Sequence, residues 1–150
     1  MDELKPLRLL AHSAEDLEVI SASVQDAVVK AGNLSFNAKR RRFSLELNRF
    51  RWEDGGRKRK HGERVRTLLA FDGVLGVRTR AITKVDPELI LSLLQVTFAP
   101  AEEAPAGTVT LLFAGDGELV LDVEVLDVSL LDSDYVWPTK NLPSHERRKR

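Results

Sequence analysis

LSFNAKRRRFSLELN, residues 34–48, decides the fold. Leu34 and Phe36 alternate with Ser35 and Asn37, and Phe43, Leu45 and Leu47 alternate with Ser44, Glu46 and Asn48. A period of two is what a strand needs when one face is buried and the other is wet. A four-residue turn over Ala38 to Arg41 sets Phe36 opposite Phe43 and Leu34 opposite Leu45, so the apolar side chains of the hairpin share one face. Past Asn48 the phase inverts. Arg49 and Arg51 fall in the apolar phase and Phe50 and Trp52 in the polar one, and a β-bulge near Asn48 is expected to restore the pattern.

Downstream, EDGGRKRKHG (53–62) is a loop with no apolar residue. A second hairpin is expected from Glu63–Phe71 and Val74–Ile82, turning on Asp72-Gly73 in a type I′ geometry that pairs Phe71 with Val74 and Leu68 with Val77. Asp86-Pro87 breaks the chain, and Glu88–Phe98 reads as a strand. A last hairpin runs Thr108–Ala114 and Glu118–Asp127. A three-residue loop Gly115–Gly117 pairs Val109 with Val123, Leu111 with Leu121 and Phe113 with Leu119, whereas a two-residue loop would set Leu111 against Asp122. Period is lost beyond Leu131, and residues 135–150 have little to bury and are expected to fray.

Upstream, Leu7, Leu9 and Leu10 suggest a brief first strand. Ser13 caps a helix whose stripe is Leu17, Ile20, Val24 and Val28, with Asp16 as a weak capping-box partner and an end expected near Val29. The expected fold is therefore α+β. One N-terminal helix packs on a curled, mainly antiparallel sheet of about seven strands that curls toward a barrel, in a single domain spanning 1–134.

Composition narrows the chemistry. The chain has 150 residues and no Cys, which excludes disulfides, thiol nucleophiles and thiolate metal sites. No apolar run approaches the roughly 18 to 20 residues a membrane helix needs. The opening MDELKPLRLL lacks the basic-then-apolar order of a signal peptide, so a cytosolic, non-membrane protein is expected. Twenty-three bases balance 23 acids, yet residues 39–66 hold twelve bases against four acids and residues 86–134 hold eleven acids and no base. That segregation gives local potentials able to steer a charged partner.

Asp122, Glu124 and Glu118 share one phase of a strand and could in principle bind a cation or divide acid and base roles, but no His or second carboxylate cluster joins them. His12 sits beside the helix cap, and His61 and His145 lie in basic segments without metal-ligand spacing. Ser13, Ser21 and Ser23 lack a GxSxG context, and no phosphate-binding or dinucleotide glycine pattern occurs. No catalytic residue, metal or cofactor is assigned. The strongest cluster is cationic: Lys39, Arg40, Arg41 and Arg42 in one turn, and Arg57, Lys58, Arg59, Lys60, Arg64 and Arg66 around another, with Trp52 between. Two such loops at one end of the sheet would suit phosphate tracking with base stacking.

SAEDLEVISASVQDAVV, FSLELNRFRWE, ERVRTLLAF, VLGVRTRAI, DPELILSLLQVTFAP and VTLLFAGDGELVLDVEV, in that order, resemble the uncharacterised alphaproteobacterial family Domain of Unknown Function 2948. The resemblance implies a bacterial cytosolic protein and supplies no activity or site residues. The functional expectation is a non-enzymatic protein-interaction domain with the acidic stretch 86–134 as one contact surface. The alternative is a polyanion- or RNA-binding module that uses the basic loops 39–42 and 57–66.

Overall fold

A computed structural model describes residues 6–51, 62–82 and 86–139. The first elements are β1 (Arg8–Ala11), α1 (Ala14–Ser23), β2 (Ala27–Lys30), β3 (Leu34–Asn37), β4 (Arg42–Phe50) and β5 (Gly62–Asp72). Then come β6 (Val74–Arg80), β7 (Ile90–Pro100), β8 (Gly107–Phe113), β9 (Glu118–Val123) and β10 (Val128–Thr139). The ten strands form one sheet in the order β1-β10-β5-β4-β2-β7-β8-β9-β6, with β3 also paired to β4. Every pairing is antiparallel. The sheet is larger than the seven strands expected and, among the described residues, does not close. No helix among the described residues is long and apolar enough to cross a membrane.

The β3–β4 hairpin has the register its alternation dictates, with Leu34 opposite Leu45 and Phe36 opposite Phe43. Ser13 caps α1 by accepting from the Asp16 N–H at 3.1 Å, and the Asp16 carboxylate accepts from the His12 N–H at 3.1 Å. The helix stops at Ser23 rather than near Val29. Asp26 turns the chain at a φ of 64° and donates its N–H to the Leu93 carbonyl, after which Ala27 and Val29 point inward as β2. The spacing Val24–Val28 fits a helix, but Val28 belongs to a strand and lies off the buried face. Leu17, Ile20 and Val24 are buried with Phe43, Leu45, Leu111, Leu121 and Val123 in one core. The helix itself lies against β7 and β1, and Ser21 Oγ accepts the Val96 N–H at 2.9 Å.

Four other expectations are corrected. β4 runs without a bulge from Arg42 to Phe50, paired rung by rung with β5, so Arg49 points inward. Asp72-Gly73 is a crossing point rather than a hairpin turn: Gly73 alone takes positive φ, at 75°, where a type I′ turn needs it at both residues. β4 and β10 occupy both edges of β5, and β6 joins β9 instead. In β8–β9 the apolar parity holds but the register slides by two, to Val109–Leu121 and Leu111–Leu119. The three-residue loop is Ala114 to Asp116, with Gly115 and Asp116 left-handed; the Gly117 carbonyl accepts the Phe113 N–H at 2.8 Å, and a Cβ at Gly117 would stand 2.8 Å from the Ile82 side chain. Finally, β10 continues through Thr139, into the segment expected to fray beyond 134.

Candidate functional site

β2 and β3 lie along the same edge of β4, separated by a turn at Ala31–Asn33. β2 is covered on its outer side by β7, from which the sheet curls through β8 and β9 to β6. At one corner β6 meets the β3–β4 turn, where the Val74 N–H donates to the Arg41 carbonyl at 2.9 Å. From that corner the two strands border a cleft. Among the described residues no strand pairs with the outer edge of β3 or of β6.

The cleft has a volume of about 480 Å³. Leu34 and Phe36 supply one wall and Val77 and Thr79 the other, over Phe43 and Leu119. At the end away from the corner stand Pro87 and Ile82. There Gly32 donates its N–H to the Pro87 carbonyl at 2.8 Å, and an added Cβ would lie 3.0 Å from that oxygen. Among the described residues no lining side chain is charged. Phe36 is 37% exposed and the edge residue Leu75 56% exposed. Parity reasoning places Leu34, Phe36 and Val77 on the apolar face, but it could not reveal the cleft because the expected β5–β6 hairpin would have covered β6.

The basic residues fall in different places. Lys39 and Arg40 protrude from the Ala38–Arg41 turn, while Arg41 pairs with Glu124 at 2.9 Å and Arg42 with Asp72 at 2.9 Å. Arg64 and Arg66 stand opposite Phe50 and Asn48, at the far end of β4, and Arg66 Nη1 lies 3.8 Å from Glu46. β4 therefore holds these two groups apart by most of its length, roughly 20 to 25 Å at 3.3 Å per residue, rather than at one end of the sheet. Trp52, Arg57, Lys58, Arg59 and Lys60 lie outside the described residues.

Several carboxylates of the acidic stretch are likewise answered from other elements. Asp122 receives the Arg78 guanidinium at 2.8 Å, Glu118 lies 3.7 Å from Arg80, and Glu88 lies 3.2 Å from Lys30. His12 Nε2 stands 3.3 Å from Asp127. Asp122, Glu124 and Glu118 thus form rungs of cross-element ion pairs on the wet face. Among the described residues no group of three or more His, Asp or Glu is placed to hold a metal ion.

One polar cluster lies inside the core. Arg49 is 0% exposed, and its Nε and Nη2 donate to the two Asp132 oxygens at 2.9 and 2.7 Å. The Thr67 hydroxyl and the Leu7 N–H add donors at 2.7 and 2.8 Å, and Arg51 Nη1 lies 3.7 Å away. This network joins β4, β5 and β10 to Leu7, the residue just before β1. Its sequence signal was the pair of arginines in the apolar phase of β4.

The family described as "Protein of unknown function (DUF2948)" matches residues 7–145, nearly the whole chain, and the chain belongs to it. No curated protein and no solved structure matches the chain.

Proposed function

We propose that this DUF2948 chain is a non-enzymatic protein-interaction domain that takes an extended segment of a partner protein into the β3–β6 cleft by strand addition. The observation that carries the reading is that two strand edges without strand partners among the described residues border one apolar trough. An open edge offers a row of backbone donors and acceptors, and pockets beside it select alternate side chains of an added strand. β6 spans seven residues, so its edge matches a partner strand of similar length, about 20 Å. The acidic stretch is a weaker contact surface than first expected, because Glu88, Glu118, Asp122 and Glu124 already face a cation. The polyanion reading has less support, since β4 separates the two described basic groups.

Selection of displayed random peptides against the full chain tests the proposal. Enriched peptides should place an apolar residue at every second position. Their affinity should fall at least about tenfold for the double variant Phe36→Ser/Val77→Thr, which strips apolar surface from both walls at half-exposed positions. A library without enriched binders, or binders indifferent to that variant, would overturn it.

A further inference from the structure

We infer that the partner segment carries carboxylates at one end only, the end that meets the Ala38–Arg41 turn; this rests on the strand-addition reading. The turn closes that end of the cleft, because it follows Asn37 of β3 and its Arg41 carbonyl receives the Val74 N–H of β6. It is held in shape by the Arg40 N–H, which donates to Asn37 Oδ1 at 3.1 Å. Arg41 and Arg42 spend their charge on Glu124 and Asp72. Lys39 and Arg40 are exposed and have no ion-pair partner among the described residues.

The other end is built differently. Among the described residues it is lined without charge, by Ala31, Gly32, Pro87 and Ile82, and the nearby Lys30 is already paired with Glu88 at 3.2 Å. A neutral trough with cations at one mouth is complementary to an apolar strand with an acidic flank, and it fixes which way that strand runs. Two protruding cations do not make a phosphate track, which needs a series of them along a groove. An acidic peptide fits this mouth better than a nucleic acid.

The test uses the full chain and a displayed library with a fixed five-residue Val/Thr alternating core and three random positions on each side. Asp and Glu should be enriched on one flank alone. A synthetic copy of the best binder should lose about threefold to tenfold in affinity when its acids become amides, the scale of two exposed ion pairs. It should lose as much against Lys39→Glu/Arg40→Glu, and in about 1 M salt the amide exchange should cost nothing. Binders whose flanks show no charge preference, yet which are lost with Phe36→Ser/Val77→Thr, would overturn the polarity and leave the cleft standing. A library without binders would remove both. A heparin fragment that displaced the peptide from the wild type, and bound the Phe36→Ser/Val77→Thr variant equally well, would assign the mouth to polyanions and overturn the inference.

Discussion

Asp132 accepts hydrogen bonds from the Arg49 guanidinium, the Thr67 hydroxyl and the Leu7 amide, so one carboxylate joins four strands or their flanks. Burial alone would raise its pKa, but the hydrogen bonds from Arg49, then Leu7 and Thr67, and the charge of Arg49 outweigh it, leaving the group below its ordinary 3.8. A carboxyl depressed on folding contributes stability that is complete above its unfolded pKa and is lost as pH falls through the folded value. The contribution should therefore fade from about pH 4 downward. Asp132→Asn leaves Arg49 buried without its counter-charge and should cost about 3–5 kcal/mol in urea unfolding at pH 7. The same variant should lose part of the acid dependence of stability below about pH 5, which a pH series of melts reads out. A wild-type midpoint for Asp132→Asn would reduce the network to a bystander. The sequence displayed half of this arrangement, two arginines in an apolar phase. It could not display the other half, because the partner lies 83 residues away and no local rule pairs them.

At the level of elements, local rules were sufficient where a turn fixes both strands. The β3–β4 register followed from turn length and parity, and the start of α1 from Ser13. They failed where a distant strand competed. β10 took the edge of β5 that Asp72-Gly73 would have given to β6, and Asp26 divided one apolar series between α1 and β2. In the β8–β9 register as formed, Gly117 lies against Ile82 with no room for a Cβ, a contact invisible to the hairpin itself. The β7–β8 rung between Pro100 and Gly107 shows the same dependence. A Cβ at Gly107 would stand 2.5 Å from the Phe98 ring and 2.6 Å from the Ala99 carbonyl, and backbone cannot swing aside as a side chain can. Gly107→Ala should cost about 1–3 kcal/mol by overpacking, measured as a lowered melting midpoint. Leu17→Asp puts an unpaired charge beneath α1 and should abolish soluble folding; a near-native melt would remove the packing of the helix from the account.

Across the whole molecule, the strongly basic and strongly acidic stretches answer each other at the surface through Arg41–Glu124 and inside the core through Arg49–Asp132. What remains unbalanced is the sheet. Its curl brings β6 back to the β3–β4 turn, where the Val74–Arg41 hydrogen bond holds the corner while the cleft runs on beyond it. A strand added there would tie the last strand of the order to β3 and so stabilise the fold rather than decorate it. Ligand that binds only the folded state adds about 2.7 kcal/mol at a free concentration of 100 times Kd. For a chain of this size that corresponds to a rise of about 5–11 °C in Tm. The selected peptide should produce that rise in the wild type and a much smaller one at the same concentration in Phe36→Ser/Val77→Thr. Hydrogen exchange separates strand addition from side-chain docking: the first slows exchange at outward-facing amides of β6 or β3, the second leaves them unchanged while Tm still climbs. Protection confined to β1, at the opposite end of the sheet order, would place the partner elsewhere and end the case for the cleft.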